Sequence, residues 1–234
     1  MEVTYIGHSG FLIEWESSYF LFDYFKGEIP KLKSDKKVFV FVSHEHHDHF
    51  NPVIFDLGAK DQKVEFILAS EIKMTKKECD ITSVSPENTY ELIDFNQNKI
   101  SIKTLKSTDS GVAFLLQYLG KTIYYAGDLN WWLWSGESKQ YNNNMTLMFN
   151  KEMEKLKELP IDIAFAPLDP RQEEYYYIGL EKLINTTFVN YVFPMHFWEQ
   201  PSIIHRFKQE RKLHLNHTKV MDVSQEGQKW NLEI

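Results

Sequence analysis

The feature that most constrains this chain is a run of apolar, β-prone residues, Val38 to Val42, followed almost at once by His44-Glu45-His46-His47-Asp48-His49. A continuously apolar strand is typical of a sheet that is covered on both faces. A rigid sheet of this kind commonly holds a functional loop at the end of a strand. The sequence therefore predicts a layered domain with the histidine-rich segment at one sheet edge.

Further β-prone and helical patterns extend this prediction along the chain. Strands are predicted at Phe11 to Trp15, Tyr19 to Asp23, Ile100 to Leu105, Val112 to Leu119, Thr122 to Ala126, Ile161 to Ala166 and Phe188 to Phe193. Helices are predicted to begin at Asn51-Pro52 and to cover Met145 to Leu159, Glu173 to Ile184 and Pro201 to Lys212. No Gly-, Pro- or Ser-rich linker divides the chain, so residues 1–234 are predicted to form a single α/β domain.

Charge and composition restrict the partners and the compartment. The net charge of −7 disfavours a nucleic acid partner, and no apolar run is long enough for an ordinary transmembrane helix. Cys79 is the single cysteine, which suits a reducing cytoplasm. We therefore expect a cytoplasmic protein with a small-molecule substrate and no membrane partner, and the oligomeric state stays open.

The histidine-rich segment carries side chains that bind metals. His44, His46, Asp48 and His49 are all competent ligands, and imidazole with carboxylate suits zinc, with manganese or iron as alternatives. His44 and His46 project to one side of an extended stretch, while Asp48 and His49 turn towards a second position. Two adjacent metal ions could share one water; the alternative is a solvated histidine-rich loop.

The His-x-His-x-Asp-His spacing resembles the signature of the metallo-β-lactamase superfamily. Two later segments match the family's remaining ligand positions in order: Asp128 in Tyr125-Ala126-Gly127-Asp128, and His196 in Pro194-Met195-His196-Phe197. The opening residues 7–14 and Leu21-Phe22-Asp23 resemble the branch of ascorbate-6-phosphate lactonase-like proteins. The resemblance implies a four-layer αββα sandwich with the metal site at one edge between the sheets.

One departure from the family pattern concerns the third histidine, which is expected shortly before the strand at Val112. That region contains Asp109 instead, either as a replacement ligand or as a turn residue beside Gly111. The resemblance implies that one metal is held by His44, His46 and Asp109, and the other by Asp48, His49 and His196. Asp128 would bridge them, and Asp48 could also orient the attacking hydroxide.

Aromatic and basic residues near these ligands are candidates for substrate binding. Trp131 and Trp132, with Trp134, follow Asp128 and could line a pocket or pack in the core. Arg171 could bind a substrate anion or pair with Asp169 or Glu173. His8 could lie near the site or be a turn histidine. His47 is expected to point away from the metals, and His205, His214 and His217 are expected at the surface.

These observations favour a metal-dependent hydrolase in which a dinuclear centre activates a hydroxide for attack on a small ester, lactone, amide or phosphoester. A phosphodiesterase or nuclease is an alternative enzyme class. Di-iron redox chemistry is disfavoured because family members of that kind usually carry glutamate at the position of His46. The non-enzyme alternative is a degenerate domain that retains metal and binds a ligand or partner.

Overall fold

The apolar run forms strand β4 (Lys37–Val42), and all of its residues after Lys37 are buried. β4 lies inside one of two seven-stranded mixed sheets in the computed structural model, which describes residues 1–58, 63–73, 79–211 and 218–234. Both faces of the strand are covered, as its continuous apolar pattern predicts.

The first sheet combines an antiparallel and a parallel half. Its strands in spatial order are β14 (Lys229–Asn231), β1 (Glu2–Gly7), β2 (Gly10–Glu14), β3 (Ser18–Phe22), β4, β5 (Val64–Ala69) and β6 (Asp80–Val84). Strands from β14 to β3 pair antiparallel, and strands from β3 to β6 pair parallel. β3 and β4 therefore end at the same edge.

The second sheet has the same two-part arrangement. Its strands in spatial order are β13 (Lys219–Val220), β12 (Phe188–Met195), β11 (Pro160–Pro167), β10 (Lys121–Tyr125), β9 (Val112–Tyr118), β8 (Lys99–Lys106) and β7 (Thr89–Ile93). Strands from β13 to β10 are parallel, and those from β10 to β7 are antiparallel. β10, β11 and β12 thus share one carboxyl edge.

Aromatic side chains fill the space between the two sheets. Phe22 stacks on Tyr125 with ring centroids 4.6 Å apart, and Phe41 meets Phe114 edge to face at 5.4 Å. Such pairs contribute about 0.5–1.5 kcal/mol beyond their buried area. They lie on the strands that end at the histidine-rich segment, so they fix that edge of one sheet against the other.

Helices cover the outer faces of the sheets. The helices of the described chain are α1 (Lys139–Glu154), α2 (Ile178–Thr186) and α3 (Ser202–Glu210), with 3-10 helices at Pro52–Gly58 and Pro170–Tyr175. α2 contacts β11 and β12 of the second sheet. Phe55 of the first 3-10 helix packs on Phe66 of the first sheet. The predicted αββα sandwich is confirmed. None of the helices in the described ranges is long and apolar enough to span a bilayer.

Several predicted elements differ from the observed ones. The helix predicted after Asn51 is a 3-10 helix, and α1 ends at Glu154 because the chain turns before Pro160 opens β11. The helix predicted from Glu173 divides into a 3-10 helix and α2, since Glu173 adopts a left-handed φ of 53°. The predictions did not include β1, β5, β6, β7, β13 and β14. These strands are mostly short, exposed or at sheet edges.

Candidate metal centre

The candidate ligands lie where parallel strands of both sheets end. His44 follows β4, Asp128 follows β10, and His196 follows β12 directly. Asp23 follows β3, and Asp169 comes shortly after β11. Because the carboxyl ends of parallel strands meet at a common edge, residues far apart in the sequence converge there.

Two groups of side chains each place one ligand atom per residue within 4.8 Å of one another. The first group contains His44, His46, Asp109 and Asp128. The second group contains His8, Asp48, His49 and His196. The structure thus assembles all seven sequence-predicted metal ligands in one place and adds His8 to them.

The first group is open to solvent on one side. His44 Nε2 lies 3.5 Å from Asp128 Oδ2, and His46 Nδ1 lies 3.6 Å from Asp109 Oδ2. His44 is buried, whereas the side chains of His46 and Asp109 are 46% and 49% exposed. A metal at this position would therefore be accessible from the surface.

The second group is buried, and Asp128 connects it to the first. Asp128 Oδ1 lies 3.1 Å from His49 Nε2 and 3.5 Å from His196 Nε2, while its other oxygen faces His44. His196 Nε2 lies 3.6 Å from Asp48 Oδ2. Each oxygen of Asp128 thus faces a different group, which is the arrangement that a bridging carboxylate requires.

The inward-facing atoms of these groups have no hydrogen-bond partners in the described structure. They are the Nε2 atoms of His8, His44, His49 and His196, and Oδ1 of Asp128. Leaving one buried polar group unpaired costs about 1–3 kcal/mol, so five at one point need a common partner. Imidazole nitrogens and carboxylate oxygens form a donor set for a divalent transition metal, and the residues present fit such ions.

In three of these histidines, Nδ1 contacts another polar group of the protein. His49 Nδ1 lies 2.7 Å from Asp23 Oδ2, and His196 Nδ1 lies 3.0 Å from Asp169 Oδ2. His44 Nδ1 lies 2.9 Å from the hydroxyl of Ser43. Such partners orient a ligating imidazole and select the tautomer whose Nε2 is free to bind.

The backbone is strained at several positions around the site. His8, Asp23 and His196 adopt left-handed φ values of 53°, 36° and 62°. Non-glycine residues in this region are uncommon and are held there by the surrounding structure. Their conformations turn the chain sharply at the ends of β1, β3 and β12, which directs the side chains into the site.

Charge pairing shifts the pKa values of the central groups. Burial, with the neighbouring His49, lowers the pKa of His44 to about 4. Against the effect of burial, the His49 and His196 rings hold the pKa of Asp128 below its usual value. Burial also opposes the charged form of His49, but Asp128 and Asp23 raise its pKa well above the usual value. Asp128 therefore stays ionised at the centre of the site and attracts cations.

The carboxyl groups of Asp109 and Asp48 respond differently. Burial and the charge of Asp128 raise the pKa of Asp109. The pKa of Asp48 is lowered, because contacts with His196 and His8 outweigh the opposing effect of burial. A cation bound beside Asp109 and Asp128 would relieve the repulsion between these two carboxylates.

A cavity of about 140 Å³ opens beside the two groups. Its walls are formed by Asp109, Asp128, Trp132, Trp134, Tyr141, Met145, Arg171 and His196. The Trp132 and Trp134 rings lie parallel, 6.0 Å apart, and the Trp132 ring centroid is 5.6 Å from that of His196. The cavity thus has an apolar wall facing a carboxylate and histidine wall.

Trp131 and Arg171, two of the predicted substrate-binding residues, have side-chain partners within the protein. Trp131 does not line this cavity: its indole N–H donates to Thr146, and its ring packs on Phe149 of α1. Trp131 thus follows the packing alternative, whereas the adjacent Trp132 lines the cavity. Arg171 lines the cavity and pairs with Asp169, and its binding of a substrate anion stays a prediction.

The other two histidines of the described chain, His47 and His205, are exposed. The His47 side chain is 83% exposed and contacts the edge of Phe25. His205 is exposed on α3. His214 and His217, predicted at the surface, lie outside the described residues.

Sequence reasoning did not assign functional roles to Asp23, Ser43, Asp169, Tyr141 and Met145. Asp23 ends the strand predicted from Tyr19 to Asp23, and a carboxylate at a strand end is a signal of a functional position. The helical stripe that begins at Met145 does not show which of its side chains reach the cavity.

Two mixed sheets with a pair of metal-ligand groups at their shared edge define the metallo-β-lactamase fold. The chain belongs to the beta-lactamase superfamily domain family, which matches residues 2–196. The UPF0173 metal-dependent hydrolase NEQ378 of Nanoarchaeum equitans is 30% identical over 169 residues, covering 72% of this chain and 71% of that protein.

Solved structures show the same fold at lower sequence identity. Igni18, a metallo hydrolase from Ignicoccus hospitalis, superposes with a TM-score of 0.65 at 19% identity and covers 99% of both chains. The metallo-beta-lactamase fold protein YhfI from Bacillus subtilis gives a TM-score of 0.61 at 13% identity, covering 98% of both chains.

Proposed function

We propose that this protein is a metal-dependent hydrolase with a dinuclear centre that acts on a small ester, lactone, amide or phosphoester. The observation that carries the proposal is the convergence of three buried, unpaired histidine Nε2 atoms, those of His44, His49 and His196, around Asp128. Zinc is the favoured metal because imidazole dominates the donor set, with manganese or iron as alternatives.

The proposed ligand assignment follows the two groups. His44, His46 and Asp109 would hold the first metal, Asp48, His49 and His196 the second, and Asp128 would contact both. When bound, the metals would supply an activated water at neutral pH and would polarise the attacked oxygen. Asp109 in this role supports a harder, more anionic first position than a third histidine would provide.

The chain's own groups contribute orientation and charge. Asp23 and Asp169 hold the imidazoles of His49 and His196 in place. Asp48 has a pKa below its usual value and remains ionised, so it can accept a hydrogen bond from the attacking water. Trp132 and Trp134 form an apolar wall on one side of the cavity.

The cavity favours a small substrate. Its volume of about 140 Å³ is well below the ~300–1,000 Å³ of drug-sized sites. Arg171 at the wall could bind an anionic substituent, although Asp169 already neutralises part of its charge. The likeness of the opening segment to ascorbate-6-phosphate lactonase-like proteins makes lactones the first substrates to test.

The test combines metal analysis with substrate panels. Purified protein loaded with Zn, Mn or Fe is assayed on lactones, esters, thioesters, amides and phosphodiesters, and its metal content is measured. We expect about two metals per chain, by analogy with two-metal sites. Joint replacement of His46→Ala and Asp128→Asn should abolish both metal binding and turnover, whereas His205→Ala should change neither.

Each alternative gives a distinct result. Turnover of phosphodiesters alone would support a phosphodiesterase or nuclease. A fully metallated protein that hydrolyses none of the panel would support a binding domain instead. Retention of both metals by the double variant would overturn the ligand assignment.

A further inference from the structure

We propose that His8 is an additional protein ligand of the second metal position and binds it through Nε2. This inference rests on the proposed function, since it requires that the site holds divalent metal ions. It extends the ligand set of Asp48, His49 and His196 with a residue from the β1–β2 turn.

The distances around Asp48 support this assignment. His8 Nε2 lies 3.4 Å from Asp48 Oδ2, closer than His196 Nε2 at 3.6 Å or His49 Nε2 at 4.0 Å. Two ligand atoms each about 2.1 Å from one ion lie roughly 3.0–3.4 Å apart in tetrahedral or octahedral geometry. His8 is therefore at least as well placed as the family's expected ligands.

Burial and ring packing direct Nε2 of His8 towards the second group. The atom is buried and has no hydrogen-bond partner in the described chain. The ring lies between His196 and Trp198, with centroid distances of 4.4 Å and 4.6 Å. These neighbours hold the ring so that Nε2 points at the group that contains Asp48.

The backbone conformation of His8 also supports its assignment as a ligand. His8 adopts a left-handed φ of 53°, and its carbonyl oxygen accepts a hydrogen bond from the N–H of His196. A strained non-glycine residue that is tied to a ligand residue is typical of a functional position. A turn histidine without such a role could be replaced by glycine without strain.

The two metal positions would consequently differ in their affinity for an ion. The second position would have Asp48, Asp128 and three buried imidazoles, whereas two ligands of the first are about half exposed. Additional neutral donors and exclusion of water both slow the loss of an ion. We expect a chelator to remove the first ion before the second.

The experiment compares His8→Asn with wild type and with His205→Asn. Asparagine tolerates a left-handed φ better than most residues, so the turn is retained while the shorter side chain cannot reach the ion. Zn²⁺ affinity at both positions is measured by competition with a chromogenic chelator, and the visible spectrum of the Co²⁺-substituted protein reports ligand number. His8→Gly with added imidazole provides a rescue arm.

We expect the second ion to bind at least ~10-fold more weakly in His8→Asn, since even indirect ligand partners contribute 10–100-fold. The Co²⁺ spectrum should change, imidazole should restore affinity to His8→Gly, and His205→Asn should match wild type. Wild-type affinity and an unchanged spectrum in His8→Asn would overturn the assignment of His8 alone. A wild-type protein that binds no divalent metal would overturn both this assignment and the proposed function.

Discussion

At the scale of single residues, the site depends on carboxylates that orient the ligand histidines through contacts with Nδ1. Asp23 is fully buried and accepts hydrogen bonds from the Ser43 N–H at 2.7 Å and from His49 Nδ1 at 2.7 Å. Its negative charge raises the basicity of the His49 ring and fixes its tautomer. Asp169 has the same role for His196.

Replacing Asp23→Asn should weaken metal binding by about 10–100-fold, the range observed for partners of ligating histidines. The amide keeps the shape of the side chain but loses the charge that holds His49. Competition titration with a chelator measures the effect. Asp94→Asn, a buried carboxylate hydrogen-bonded to Tyr118, is the matched control and should leave the affinity unchanged. Equal affinities in both variants would contradict the orienting role of Asp23.

Metal affinity should fall as the pH decreases. The pKa values of His49 and His196 are raised in the protein because Asp128 and their orienting carboxylates outweigh burial. Below those raised values the rings carry protons that a metal must displace, and above them the competition disappears. Affinity should therefore increase through neutral pH, with protons released on binding.

Isothermal titration in buffers of different ionisation enthalpy measures this proton release. Binding that is independent of pH between about 5 and 8, the interval in which histidine ordinarily titrates, would contradict the proposed ligation by these rings.

At the scale of secondary-structure elements, the ligand loops approach each other closely at two glycines. A Cβ on Gly127 would lie 2.6 Å from Cβ of Ser43, and one on Gly111 would lie 1.9 Å from the Ser43 carbonyl oxygen. Both glycines have positive φ values, of 51° and 66°. Only glycine allows the ends of β4 and β10 and the β8–β9 loop to meet, and this contact brings His44, Asp109 and Asp128 together.

Gly127→Ala should destabilise the protein by about 2–5 kcal/mol, combining left-handed strain of ~1–2 with overpacking of ~1–3. Gly120→Ala is the matched control because Gly120 also has a positive φ, of 75°, but nothing lies within 4 Å of an added Cβ. Chemical denaturation of both variants separates the two contributions. Equal losses of stability would show that the close approach at Ser43 is unimportant.

At the scale of the whole molecule, the candidate centre joins the two sheets. His8, the histidine-rich segment and Asp23 come from the first sheet, whereas Asp109, Asp128 and His196 come from loops of the second. Bound metals would therefore link the sheets at one edge of the sandwich. Unfolding would have to break these links.

Removing metal should lower the melting temperature. A ligand at 100 times its Kd contributes about 2.7 kcal/mol, and at about 2–4 °C per kcal/mol for this chain length the loss is roughly 5–11 °C. Differential scanning calorimetry with and without chelator measures it. The variant with His46→Ala and Asp128→Asn should melt at the same temperature under both conditions, and a chelator-dependent shift in that variant would indicate metal bound elsewhere.

Features that depend on neighbouring residues could be predicted from the sequence. The apolar pattern of Val38 to Val42 predicts a covered strand, and the residues that follow supply ligands whose spacing is set by the backbone. The αββα fold followed from the order in which Asp128 and His196 match the family pattern. These signals are local or lie in a fixed sequence order, so they can be read without coordinates.

The way in which distant residues combine depends on long-range packing and could not be predicted from the sequence. His8 and His196 are almost two hundred positions apart, yet their rings are 4.4 Å apart because β1 and β12 end at the same edge of the sandwich. The same packing turns Trp131 towards α1 and Trp132 towards the cavity, although they are adjacent in sequence. Sheet register and strain at turns set these directions, and both result from long-range packing that no local pattern encodes.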